Sequence, residues 1–220
     1  MTRIILATRN AHKVGELAAL LGPGFRCVSL DEFPGAPAVI EDAPTFAGNA
    51  AKKASTLANW LIKTSAAVFP KTFVLADDSG LEVDALEGAP GVHSARFAAM
   101  ETPAGIPAGN SSDAANNERL LRLLKETPAD SRTARFRCVL ALVNLDAGNT
   151  SGAPLLFEGV CEGRITAKPG GSGGFGYDPL FVAEGQSRSF AELGDEVKNR
   201  ISHRAQAMIK LRAWLTKAPA

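Results

Sequence analysis

Two adjacent carboxylates, Asp77 and Asp78, close a short apolar run, Phe73–Ala76, and are followed by Ser79-Gly80. Ligands of α/β sheets bind where strands end, and neighbouring strand residues point to opposite faces. One carboxylate can therefore face a ligand while the other fixes the backbone. Oxygen ligands beside a glycine-permitted turn suit a hard cation such as Mg²⁺. A capping aspartate at a strand–turn junction would look the same, and the pair alone does not choose. A second group, Thr8-x-Asn10-x-x-Lys13, leaves another apolar run, Arg3–Thr8, at the predicted start of a helix. Helix starts bind anions through free N–H groups, and a lysine there opposes the macrodipole unless an anion is near. An N-capping Thr or Asn beside a solvated lysine is the plain alternative.

The C-terminal third repeats the theme. Ser202 reads as an N-cap, placing His203 and Arg204 at the first helical positions with Lys198 just upstream. Phe175 stands in a stretch with five glycines in the seven residues 170–176. Glycines let a ligand approach closely, and stacking on an aromatic ring holds a nucleobase, although Phe175 could equally be core. The same stretch matches G-x-G-x-x-G at Gly171–Gly176 and G-x-S-x-G at Gly170–Gly174. Pro169 and Pro179 bracket it, so no helix opens there, as a dinucleotide site or a nucleophile elbow would require. There is no P-loop pattern. Taken together, cations for phosphate, carboxylates for a metal and an aromatic for a base describe a nucleotide site built without a P-loop.

The elements that must position these groups follow from hydrophobic spacing. Residues 3–8 and 26–30 read as strands. Val14, Leu17, Leu20 and Leu21 mark a helix ended by Gly22-Pro23. Thr45 caps a second helix carrying Phe46, Ala50, Ala54, Leu57 and Leu61. Asp113 caps a third, with Leu120, Leu121 and Leu124. Residues 135–145 and 155–165 read as a hairpin joined by the turn-rich 146–154 stretch, residues 180–183 as a strand, and His203 to Leu215 as a closing helix. Mixed strands and helices with a long hairpin predict an α/β or α+β fold with a mixed sheet.

Composition bounds the partners. With 24 basic and 23 acidic residues over 220, the chain is not a basic nucleic-acid wrapper. Its three cysteines form neither a disulfide framework nor a zinc spacing; Cys138 and Cys161 read as core. Short apolar runs speak against a signal peptide or a membrane span. A reduced, cytoplasmic protein is expected.

Five blocks carry a resemblance: residues 5–17 (ILATRNAHKVGEL), 45–54 (TFAGNAAKKA), 75–98 (LADDSGLEVDALEGAPGVHSARFA), 171–181 (GSGGFGYDPLF) and 201–208 (ISHRAQAM). In these blocks, met in order over residues 4 to 215, the chain resembles the inosine triphosphate pyrophosphatase family of house-cleaning dITP/XTP pyrophosphatases. The resemblance implies one α/β domain over 1–220, elongated and two-lobed, with a central mixed sheet flanked by helices and the active site in the cleft between lobes. It implies a homodimer with no nucleic-acid or membrane partner, using Mg²⁺ to hydrolyse ITP, dITP or XTP to the monophosphate and pyrophosphate.

Residue by residue, it implies Thr8, Asn10, Lys13 and Lys53 on the phosphates, Glu41 and Asp78 on the metal, Asp78 as proton acceptor, and Ser79 as a substrate contact. Phe175, Gly176, Tyr177 and Asp178 would form the base-holding loop. Lys198, His203 and Arg204 would be further substrate contacts, the last two reading the base. Arg9, Ile40 and Gly48 depart from the family pattern, and stretches around Trp60–Lys71 and Met100–Ser112 look inserted, with a surface position expected. A nucleotide sensor without catalysis is the competing reading, and retention of Asp77, Asp78 and Glu41 speaks against it. A Maf-like pyrimidine pyrophosphatase is a second, opposed by residues 201–208.

Overall fold

The computed structural model describes residues 1–64, 71–101, 109–145 and 152–217. Six strands pair in the order β2-β1-β3-β4-β5-β6, where β1 is Thr2–Leu6, β2 Phe25–Val28, β3 Thr72–Val83, β4 Thr133–Asn144, β5 Leu155–Ile165 and β6 Phe181–Ala183. Strand β1 runs parallel to β2 and β3, with Ile4 opposite Cys27 and Phe73. Strand β6 runs antiparallel to β5. The mixed sheet expected from the sequence is present, flanked by helices α1 Ala11–Leu21, α2 Phe46–Thr64, α3 Asp113–Leu123, α4 Phe190–Ile201 and α5 His203–Lys217.

The chain divides into two compact units. The first holds Met1–Asp78, Cys138–Gly159 and Arg204–Ala220. Its core joins Ile4 and Leu6 of β1, Phe73 and Leu75 of β3, and Cys138, Leu140 and Leu142 of β4. Leu17 and Leu21 of α1 and Ala207, Met208 and Leu211 of α5 complete it. Alternate residues 73 and 75 thus face α1 and α5, as strand geometry requires. Helix α1 begins where Asn10 Oδ1 accepts from the His12 and Lys13 amides and ends at Gly22, whose φ of 78° suits a residue without Cβ. Helix α2 begins where Thr45 Oγ1 accepts from the Gly48 amide, the cap expected of it.

The second unit holds Ser79–Arg137 and Val160–His203. Leu81, Val83, Phe97, Leu120, Phe136, Tyr177, Leu180, Phe181 and Phe190 are central to its core. Phe181 lies 4.7 Å from Phe136 and 5.2 Å from Phe190, centroid to centroid.

The structure corrects several expectations. Strand β3 does not stop at Asp77. Its ends meet β4 in opposite order: the Leu145 amide donates to Thr72 O at 2.9 Å, while Arg137 bonds Glu82 and Thr133 bonds Asp84. Ser79-Gly80 has the composition of a turn, yet the strand runs on through it beside β4 and the apolar residues Leu81 and Val83 resume beyond it. Strand β2 is shorter than 26–30; Ser29 Oγ instead accepts from Asp31 and opens the 3₁₀ turn Leu30–Glu32.

Ser112, not Asp113, caps α3, accepting from the Ala115 amide at 3.2 Å. Helix α4 is an addition to the elements expected from the sequence, opened by a capping box of Ser189 and Glu192. Lys198 therefore lies within a helix, and Ser202 closes α4 where it was expected to open α5. Of the stretches read as inserted, Trp60–Thr64 is the end of α2 and Leu61 is core. Residues 65–70 and 102–108, and 146–151 of the hairpin turn, lie outside the described residues. Cys138 and Cys161 are buried and all three cysteines are free. Among the described residues, no helix is long and apolar enough to cross a membrane.

Candidate functional site

In the first unit, two neighbouring residues of β3 address different helices. Asp77 shares the α1/α5 face with Phe73 and Leu75. Its Oδ1 is 2.5 Å from Lys13 Nζ of α1, and its Oδ2 accepts from Arg204 Nε of α5 at 2.9 Å. The Cys138 thiol also donates to Oδ2, at 3.3 Å. Arg204, 2% exposed, forms a second ion pair with Glu16. Burial alone would push Asp77 up, but Arg204 and then Lys13 outweigh it and hold the carboxyl well below the usual aspartate value. The penalty for a cation at the start of α5 is thus offset by two acids of the protein itself.

Asp78 points the other way, to α2. Its Oδ1 accepts from Lys53 Nζ at 2.9 Å; its Oδ2 is buried and takes no hydrogen bond among the described residues. Burial pushes Asp78 up to about 6 against the pull of Lys53. Lys53 also lies 3.4 Å from Glu41. Burial raises Glu41, but Lys53 and then Lys13 more than offset it and leave it below its usual value, and the Asp78 carboxyl is a hydrogen-bond partner. The loop bearing Glu41 is tied to α2 by the Ala43 amide, which donates to Asn49 Oδ1 at 2.9 Å.

Among the described residues no group of three or more His, Cys, Asp or Glu is arranged around one point to hold a metal. Two facing carboxylates, one with an unshared buried oxygen, still fit a hard cation that keeps waters and takes phosphate oxygens as further ligands. Thr8 and Asn10 sit at the head of α1, where Thr8 Oγ1 accepts from the Asn10 amide at 3.1 Å and Asn10 caps the helix.

The second unit contains the glycine-rich loop. The Phe175 amide donates to Asp178 Oδ2 at 2.9 Å, and Lys198 Nζ of α4 bonds the same oxygen at 2.6 Å. Asp178 and Lys198 are each 2% exposed. Lys198 Nζ also stands 4.6 Å from the Phe175 ring centre. Tyr177 is buried, its hydroxyl donating to Ser94 O at 2.9 Å, and burial raises its phenol well above the ordinary value. Strand β6, not a helix, follows the loop directly, so the two motif matches have no structural counterpart. His203 stacks on Phe136, with centroids 4.7 Å apart and planes 14° from parallel. Ser79 follows Asp78 within β3.

The structure thus brings Lys13, Lys53, Glu41, Asp78 and Arg204 together in the first unit, and Phe175, Gly176, Tyr177, Asp178 and Lys198 in the second. Sequence reasoning missed Asp77 as the partner of two cations and Glu16 as the second acid on Arg204. Glu16 follows Lys13 by three residues, so the two share a helix face; that spacing was the available signal.

A family model described as the Ham1 family matches residues 4–214. The chain belongs to the Ham1 family. Among relatives of this Ham1-family chain, the "dITP/XTP pyrophosphatase" of Desulforamulus reducens is 51% identical over 209 residues, 94% of this chain and 92% of that one. The protein of the same description from Opitutus terrae is 45% identical over 96% of this chain and 98% of its own. In structure, a HAM1 protein from Coxiella burnetii is similar, with a TM-score of 0.78, 36% identity and coverage of 99% and 100%. The Ham1 protein of Staphylococcus aureus also gives 0.78, at 34% identity and 98% coverage of each chain. The family resemblance and the α/β fold with a mixed sheet read from the sequence are both borne out.

Proposed function

We propose that this chain hydrolyses non-canonical purine nucleoside triphosphates (ITP, dITP and XTP) to the monophosphate and pyrophosphate. Its relatives bear the name dITP/XTP pyrophosphatase. The observation that carries the chemistry is Asp78: a buried carboxylate with one oxygen on Lys53, the other unshared, and a pKa raised to about 6. At neutral pH such a group is mostly ionised yet basic enough to accept a proton. Water attacks the α-phosphorus, the bond to the pyrophosphate oxygen breaks, and the water's proton passes to Asp78. Lys13 and Lys53 offset the charge growing on the phosphate oxygens. Thr8 and Asn10, at the anion-binding head of α1, orient the phosphates, and Ser79 is a further substrate contact.

Asp78 and Glu41 would hold the cation, which we take to be Mg²⁺. When bound, it would supply positive charge to the phosphates and lower the pKa of water. Phe175 offers a ring for the base, within the loop of Gly176, Tyr177 and Asp178 held by Lys198. His203 and Arg204 donate to the six-position oxygen, the guanidinium being oriented by Asp77 and Glu16. Adenine carries an amine there and would leave those donors unpaired, which is costly when they are buried. The proposal includes a cytoplasmic homodimer, which light scattering at micromolar concentration would refute by returning a monomer mass.

The deciding experiment measures pyrophosphate release from ITP, dITP, XTP, ATP and GTP, with Mg²⁺ and with chelator. Release from ITP, dITP and XTP far above ATP, and only with Mg²⁺, is expected. No release from any triphosphate, or release of orthophosphate instead, would overturn the proposal.

A further inference from the structure

We infer that Asp113 and Asn117 of α3 are positioning residues for base recognition, acting through the backbone of Gly176. The inference rests on the reading of residues 175–178 as the base-holding loop. Asp113 and Asn117 are four residues apart, so they share one face of the helix. Gly176 N–H donates to Asp113 Oδ2 at 2.6 Å, and Gly176 O accepts from Asn117 Nδ2 at 3.0 Å. Both polar groups of one loop residue are thus held by side chains of a helix some sixty positions earlier.

The effect falls on Phe175. The peptide plane before Phe175 is fixed by its own N–H on Asp178. The plane after it contains the Gly176 N–H, and that plane is fixed by Asp113. With both flanking planes anchored, the φ and ψ of Phe175 are set, and so is the direction of the Cα–Cβ bond that carries its ring. Packing does not do this at Gly176: its φ is +63°, and a Cβ there would meet nothing within 4 Å. The clasp has a firm base. Asn116, next to Asn117, accepts from the Ala98 amide at 2.8 Å and donates to Ala95 O at 3.3 Å. Ser94 O in turn receives the Tyr177 hydroxyl.

The test uses the full chain with Asp113→Ala, Asp113→Asn and Asn117→Ala. KM and kcat for ITP, inhibition by pyrophosphate, and amide exchange at Gly176 are measured. Losing either hydrogen bond should raise the KM for ITP about fivefold, the worth of one ordinary hydrogen bond. The kcat and the inhibition constant of pyrophosphate, which has no base, should stay within about twofold. Amide exchange at Gly176 should accelerate in Asp113→Ala. Asp113→Asn keeps an acceptor but loses the charge, and should behave as wild type.

An unchanged KM in both alanine variants would overturn the inference. So would equal weakening of ITP and pyrophosphate, which indicates general loosening. Failure of Asp113→Asn to rescue would also overturn it, since it assigns the effect to charge at the helix start. If the wild-type chain releases no pyrophosphate from ITP, it is the proposed function that fails. The exchange rate at Gly176 still reports whether the clasp forms.

Discussion

Asp77 and Asp178 are equally buried, at 2% exposure, and meet their cations in different ways. Asp77 in the first unit lies between Lys13 of α1 and Arg204 of α5, with Glu16 behind the arginine. Asp178 in the second unit faces Lys198 and accepts from the amide of Phe175 in its own loop with the same oxygen. The first is a network in which the two central charges, Asp77 and Arg204, each have two opposite neighbours. The second joins the ion pair with Lys198 to a backbone turn. A network tolerates loss of a member because the remainder still neutralises the buried charge, whereas breaking a pair strands one. The first arrangement leaves the adjacent Asp78 available for chemistry. The second fixes the shape of a loop.

The largest effect should come from the chemical side of this contrast. Asp78→Asn should lower turnover of ITP by about 10²- to 10⁴-fold, the usual worth of a positioned proton acceptor, with circular dichroism unchanged. Asp77→Asn should act on stability at least as much as on turnover. Near-wild-type pyrophosphate release by Asp78→Asn would remove the chemical half of the comparison.

Lys198→Met tests the pair against the network. Losing this 2.6 Å contact between two groups that are each 2% exposed should cost about 3–5 kcal/mol of stability. Lys13→Met leaves Asp77 with Arg204 and should cost less, about 1.5–3 kcal/mol, the order of a lost charge-assisted hydrogen bond. Urea unfolding of both variants decides, and equal losses would show that the distinction has no energetic meaning.

What was legible in the sequence follows the same division. The buried strand β1, helices α1 and α2 and the β4–β5 hairpin were readable because their apolar spacing is local and regular. The reach of β3 through Ser79-Gly80 was not, because β4, the strand it runs beside, lies some sixty residues away in the chain. The partnership of Arg204 with Asp77 and Glu16 spans 127 and 188 positions, and no spacing rule encodes it. Helix α4 is signalled locally: Ser189 and Glu192 stand at capping-box spacing, which puts Lys198 inside a helix. In the second unit the composition of the glycine loop was visible, but not that a helix beginning at Asp113 clasps it.

Gly174 and Gly176 sharpen the account of that loop. Both have positive φ, +69° and +63°, so an alanine at either costs about 1–2 kcal/mol in strain. A Cβ on Gly174 would in addition lie 2.2 Å from Asp178 Oδ2, while one on Gly176 meets open space. Gly174→Ala should therefore be the more destabilising by about 1–2 kcal/mol, within the range for overpacking, and should weaken nucleotide binding by displacing Asp178. Thermal unfolding of the two variants side by side measures the difference. A larger loss for Gly176→Ala would contradict the packing argument.

The smallest effect returns to the two neighbouring acids of β3, which respond to pH with opposite sign. Asp77 has a folded pKa below its unfolded value, so its stabilising contribution is present above about pH 4 and is lost as pH falls further. Asp78 has a folded pKa raised from 3.8 to about 6. Its contribution is present below about pH 4 and is lost as pH rises through 6. In chelator-treated protein, Asp78→Asn should therefore match wild type near pH 4 and be relatively more stable at pH 7.5. The shift of about two units bounds the gain at about 3 kcal/mol. The pull of Lys53 is already contained in that shift. Added Mg²⁺ should reverse the order at pH 7.5, because a cation held by Asp78 and Glu41 stabilises only the chain that binds it. Denaturation midpoints at the two pH values, with and without the cation, give four numbers. A variant that is less stable than wild type at pH 7.5 in chelator would show that Lys53 more than neutralises Asp78, and that burial does not govern this carboxylate.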